Sequence, residues 1–230
     1  MQKLLFGMIA LIGLASPALS ADWNWTACYV GGGIGGVWGG SEKWVVKTPG
    51  APHSGESLGG HDVSGWIGGV QSGCDYQFES VVIGIQGDYG WTGAEGRYPS
   101  AQETGVVYDS DVKGLSSVTG RMGYAWNHFL GYVKGGIAWE RVGCIASIIP
   151  AGTEITALTA SVTRQGWTIG VGGEYAISEF LSGFIEYDYY DFGSSDVRFV
   201  PRLDGVPPGI VEIDETANVV RAGLNIRFGG

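Results

Sequence analysis

Asp88, Glu174, Glu186 and Asp188 are the side chains whose type best suits acid–base chemistry, and four such carboxylates suggest a paired acid and base or the acidic centre of a protease. A hydrolase or acyltransferase built on them would also need a His or Ser beside the acids, at the end where substrate arrives. The histidines are misplaced for that: His128 falls in a short turn, and His53 and His61 share one glycine-bounded loop. Arg121, Lys134, Arg221 and Arg227 occur in the same periodic segments as the acids, so mutual neutralisation is the simpler use, and no enzyme is expected.

Other motifs weaken in the same way. His53 and His61 with Glu56 and Asp62 could hold a metal, yet their spacing matches no zinc signature and their neighbours make a solvated loop, so no metal or other cofactor is expected. Gly31-x-Gly33-x-x-Gly36 satisfies the dinucleotide fingerprint, but the chain continues as strand where a helix should open. Asn24-Trp25-Thr26 is a chance glycosylation triplet.

What positions these groups begins with export. Lys3, the apolar run Leu4 to Leu14 and the small residues from Ala18 to Ala21 read as a signal peptide over residues 1–21, cleaved after Ser20 or Ala21. The run is too short to span a bilayer as a helix. A single domain is expected over 22–230, since no linker composition divides it. Without Lys3, twelve cations face twenty-three anions and no basic cluster forms, which excludes a nucleic-acid partner. Glycine, at 42 of 230 residues, lies among valines and aromatics without collagen period, as in strongly curved sheet.

Alternating segments recur at 25–40, 62–77, 81–92, 112–127, 129–142, 163–177, 181–193 and 216–228, and they pair into four hairpins. Three joins are a few residues long, whereas those at 41–61, 93–111, 143–162 and 194–215 run to about twenty. Short turns at one end and long loops at the other fit an all-β, eight-stranded antiparallel up-and-down barrel in an outer membrane, with periplasmic turns and extracellular loops.

Side-chain parity assigns the faces, because neighbours along a strand point to opposite sides. Val220, Ala222, Leu224, Ile226 and Phe228 oppose Arg221, Asn225 and Arg227; elsewhere apolar rows oppose Gln86 and Asp88, Arg121, Lys134 and Glu140, Glu174, and Glu186 and Asp188. Facing lipid, each midplane Lys or Arg would cost ~2–4 kcal/mol, so in a membrane these eleven residues form the barrel-interior polar network. A soluble lipocalin-like barrel would reverse the parity, which periodicity alone does not exclude.

A hairpin centred on the 41–61 loop sets opposite one another residues whose numbers sum to about 102, as Cys28 and Cys74 do. In an oxidising compartment this predicts a cross-strand disulfide between them, leaving Cys144 as the odd thiol near the third long loop.

Trp25-Thr26-Ala27-Cys28-Tyr29-Val30-Gly31-Gly32, Gly68 through Gln77, Gly120-Arg121-Met122-Gly123-Tyr124-Ala125-Trp126, Gly166 through Tyr175 and Glu186 through Gly193 resemble the small outer-membrane barrel proteins of alphaproteobacteria, porin-like surface antigens similar in design to the OmpA-type barrel. The resemblance continues through Val219 to Asn225 and touches every strand; members usually end on an aromatic residue, where this chain adds Gly229 and Gly230 after Phe228. It implies an envelope role in the cell outer membrane. The expected function is therefore a structural and surface-interaction barrel with a side-chain-filled interior, in contact with outer-membrane lipid and lipopolysaccharide and, through the four loops, with host surface or phage. A narrow porin-like diffusion channel and a soluble periplasmic ligand-binding barrel are the alternatives.

Overall fold

A computed structural model describes residues 23–39, 43–48, 55, 57–59, 63–99, 106–149, 155–202 and 208–229. The expected signal peptide, and His53, Glu56, His61 and Asp62, lie outside them.

The strands are β1 (Ala27–Gly39), β2 (Lys43–Val46), β3 (Ser57–Gly59), β4 (Ser64–Phe78), β5 (Val81–Pro99), β6 (Val106–Trp126), β7 (Phe129–Ile148), β8 (Ile155–Ser178), β9 (Leu181–Pro201) and β10 (Gly209–Phe228). All neighbours pair antiparallel, and pairing of β1 with β10 closes the ring. β2 continues the line of β1 beside β10, passing from the pair Gly39–Ala217 to Lys43–Asp214. β3 stands to β2 as β4 does to β1, through Trp44–Gly59 and Trp38–Ser64. Ten labelled strands therefore make eight staves.

Two-residue turns join the staves at one end, and left-handed backbone at Glu79 (φ 52°) and Asn127 (φ 57°) closes two of them. Asn tolerates that conformation well. The opposite end departs from expectation. Strand pairing continues through much of 93–111, 143–162 and 194–215, as in Val106–Ile148 and Gly209–Phe199, so the regions read as loops are largely extensions of the wall.

The extensions escape simple pattern reading because the sidedness of polarity changes along the staves, as β7 and β10 show. On β7, Val133 and Ile137 point outward while Lys134 and Glu140 point inward and are buried. Past Trp139 the exposed outward residues are Arg141 and Ile145, and the inward ones are Val142, Cys144 and Ala146. On β10 the inward row passes from Arg227, Asn225 and Arg221 to Val219, Ala217, Ile213 and Val211, with Glu215 between. A wall apolar outside and polar inside suits hydrocarbon around a charged lumen, and the reverse suits water around an apolar core.

The inversion marks the membrane surface. Trp38, Trp66, Trp91, Trp167 and Tyr187 lie on the outer face near it, and Tyr76, Tyr124, Trp126, Phe129 and Tyr175 ring the turn end. From Phe129 to Trp139, ten residues of tilted strand rise roughly 25 Å, the height of an outer-membrane apolar band. The cations Arg121, Lys134, Arg221 and Arg227 all point into the lumen, opposite to the parity of a soluble barrel.

Candidate functional site

The lumen of the membrane-spanning part holds all eleven residues of the expected polar network, each buried. They are stacked in layers. Nearest the turns, Arg121 binds both carboxylate oxygens of Asp75, at 2.7 and 2.5 Å, and donates to Glu174 at 3.0 Å. Arg227 also reaches Glu174, at 3.1 Å, while Ser182 and Asn225 donate to the same carboxylate. Gln71 donates to Asn225 at 2.9 Å, and the Tyr29 hydroxyl donates to Gln86 at 2.8 Å. The Arg121 guanidinium is stacked between the Tyr29 and Tyr132 rings, 5.0 and 4.6 Å from their centres.

One level up, Lys134 lies 3.1 Å from Glu186 and 3.0 Å from Asp188. Arg221 contacts Glu186 at 2.7 Å, Asp188 at 3.4 Å and Asp88 at 3.5 Å, and Ser117 donates to Asp88. Above these, Arg164 bridges Glu140 and Glu215. Charge buried without partners would be prohibitive, whereas seven acids interleaved with five bases among the described residues nearly cancel.

Room for these side chains comes from glycine on the inner face. A Cβ at Gly172 would sit 2.5 Å from the Tyr132 ring, and one at Gly73 would sit 2.5 Å from the Tyr29 hydroxyl. An eight-stranded barrel has an interior just wide enough for side chains, so a large residue on one stave demands a small one opposite.

Both ends of the charged column are capped by apolar layers. Toward the turns, Trp25, Val82, Ala125, Leu130, Tyr132 and Ala176 pack together. Trp25 enters from the segment preceding β1: its indole donates to the Asn127 carbonyl at 3.1 Å, and its own carbonyl accepts from Arg227 at 2.6 Å. Toward the exterior, Ile67, Leu115, Val142, Cys144, Tyr190, Phe192, Val197 and Ile213 belong to a larger apolar cluster. Cys144 is thus a core side chain of β7, not a thiol in an external loop.

Cys28 and Cys74 face each other across β1 and β4 and form a disulfide, their Cα atoms 3.9 Å apart, on the outer face near the turn end.

Gln71, Asp75, Arg164 and Glu215 were missing from the expected network. Asp75 had a signal: with Cys74 facing outward, its neighbour must face inward. Arg164 extends the even-numbered inward row of Thr168, Gly170, Gly172 and Glu174 by two further steps. Glu215 fell in a supposed loop.

A closed ring with an apolar belt, an ion-paired lumen and two aromatic girdles defines a transmembrane β-barrel of the bacterial outer membrane. The chain belongs to the outer membrane protein beta-barrel domain family, whose description it matches over residues 6–228. It is 30% identical over 213 residues to the 31 kDa outer-membrane immunogenic protein of Brucella melitensis, covering 89% of this chain and 84% of that one. It is also 29% identical over 164 residues to a 22 kDa outer membrane protein of Rhizobium leguminosarum, covering 71% and 67% of the two chains. Among solved structures, the outer membrane protease OmpT of Escherichia coli is similar over 92% of this chain and 99% of its own, with a TM-score of 0.56 at 10% identity. The outer membrane protein OprG of Pseudomonas aeruginosa has a TM-score of 0.54 at 13% identity, over 91% and 99%. These two share the fold. The protein is an outer-membrane β-barrel located in the cell outer membrane.

Proposed function

We propose that this barrel is a sealed, non-catalytic element of the outer membrane, whose raised outer end carries its contacts with lipopolysaccharide and with host surfaces or phage. The observation that supports this is the stacking of the lumen: two apolar layers bracket a column of paired charges, which leaves little space for a continuous aqueous path. A diffusion pore would need that path. The acids in the lumen are engaged by Arg and Lys side chains and lie beneath the apolar layer, so a substrate arriving from outside has no route to them. Outside, above the girdle, Glu95, Arg97, Asp109, Asp111, Lys113 and Thr159 border a shallow depression of about 580 Å³. Charges of both signs at that height suit the phosphate and sugar layer of lipopolysaccharide.

Single-channel recording in planar bilayers tests the reading. Purified protein is expected to insert without steady conductance, and a reproducible ohmic step would overturn the sealed barrel.

A further inference from the structure

Two hollows on the outer face of the wall meet at the girdle. The lower is a groove of about 500 Å³ in the apolar belt. The register sets Ser72, Gly87 and Val118 side by side across β4, β5 and β6, and Val70, Tyr89, Ser116 and Trp139 in the next outward-facing row. The small residues Ser72, Gly87 and Ser116 leave the trough, and Val30, Val70, Tyr89, Val118 and Trp139 wall it. A Cβ at Gly87 would meet only the Ser117 carbonyl oxygen within 4 Å, at 3.8 Å, so the space over it opens toward the hydrocarbon.

The upper hollow, of about 180 Å³, shares Tyr89, Ser116 and Trp139 with the groove and adds Gly114, Arg141 and Thr163. Gly114, Arg141 and Thr163 make up the row just beyond Trp139. The Tyr89 hydroxyl lies over Gly114, 3.1 Å from where a Cβ would stand. Hydroxyls of Tyr89, Ser116 and Thr163 thus border a cup that contains one guanidinium. Glu140 also borders it, but its carboxylate is buried and holds Arg164 inside the barrel. Among the described residues Arg141 is in no ion pair, and neither is Lys113, whose side chain crosses Gly143 one row further out. Glu95 and Asp111 face each other in that further row.

We propose that the two hollows form one site for the phosphorylated lipid of the outer leaflet, lipopolysaccharide, with a phosphate on Arg141 and an acyl chain in the groove over Gly87. This rests on the lipopolysaccharide contact inferred above and gives it a place on the wall. Hydrocarbon is the medium that meets the belt, so an acyl chain fills a groove there. An uncompensated guanidinium beside three hydroxyls matches the charge and the acceptor oxygens of a phosphate. The heights agree as well: Arg141 lies two residues beyond Trp139, and aromatic girdles mark the level of lipid headgroups. The shared residues Tyr89, Ser116 and Trp139 join the two parts over a distance that a single lipid spans.

Full-length protein in detergent micelles is titrated with purified lipid A and followed by native mass spectrometry, with dephosphorylated lipid A as a second probe and inorganic phosphate as competitor. Saturable retention of one lipid A is expected, with affinity about tenfold lower in R141Q and in G87L. Both substitutions lie on the outer face, away from the paired charges of the lumen, so folding is expected to persist and is checked by heat-modifiable migration. R198Q and G183L, on the outer face of β9, should bind as the parent does. Dephosphorylated lipid A should bind weakly and equally to the parent and R141Q. Retention that ignores Arg141 and Gly87 would overturn the site while leaving the lipopolysaccharide contact in place. Displacement by equimolar inorganic phosphate would make the occupant a free anion and overturn it too. A parent protein that retains no lipid A would remove both the site and the contact.

Discussion

Replacing Arg121 by Met removes the guanidinium of a residue only 4% exposed, a group that binds Asp75 through two hydrogen bonds and contacts Glu174. Removing one partner of a buried ion pair costs about 3–5 kcal/mol, because the remaining charge stays desolvated. Arg227 moderates the loss here, since it lies 3.6 Å from Asp75 and 3.1 Å from Glu174 and continues to compensate both. The expected destabilisation of R121M is therefore about 3 kcal/mol. Adding D75N removes the carboxylate that was stranded, so the double variant is expected to recover about 1–2 kcal/mol of that loss. Urea-dependent equilibrium folding into phospholipid vesicles, followed by tryptophan fluorescence, measures both. If R121M behaves like the parent protein, or the double variant is less stable than R121M, the lumen is not held as described.

Ile137 faces hydrocarbon and Ile145 faces water on the same strand, so I137K is expected to lose about 2–4 kcal/mol in the vesicle assay, and I145K almost nothing. Reduction of Cys28–Cys74 frees a chain loop with a sequence separation of 46, and C28S/C74S is expected to lower stability by about 2–4 kcal/mol. Mass analysis with alkylation should find two further thiols only after reduction, and two reactive thiols in the untreated protein would refute the staple. G172L drives a side chain into the Tyr132 ring and is expected to cost about 1–3 kcal/mol, read as a lower urea midpoint. Unboiled samples should migrate differently from boiled ones on detergent gels, and the difference should shrink in R121M.

Most of the membrane-spanning wall was legible in the sequence because one physical demand governs it: alternate side chains meet lipid or a charged lumen. The row of Val220, Ala222, Leu224, Ile226 and Phe228 against Arg221, Asn225 and Arg227 is enough to orient β10. In β4 the pattern was faint, because Gly68, Gly69 and Gly73 blur the alternation, and Asp75 was lost with it. The outer extensions were hidden for a different reason. Val211, Glu212, Ile213 and Asp214 alternate as cleanly as any strand, but with polar residues on the face that had carried apolar ones nearer the turns. A reading that expects one sidedness per stave ends the strand there and sees a loop. The lapse in pairing of β8 with β9 between Thr159–Val200 and Trp167–Asp191 leaves no composition signal beyond Gly166 and Gly193, since pairing partners are a property of the ring and not of either segment.

The height at which the wall changes character is the most direct test of the account. Single cysteines at Val133, Ile137, Arg141 and Ile145, in a Cys144→Ser background, can be exposed in intact cells to a membrane-impermeant maleimide. The account predicts labelling at positions 141 and 145 and none at 133 and 137, with the change falling at Trp139. Labelling at position 137, or protection of position 145, would contradict it.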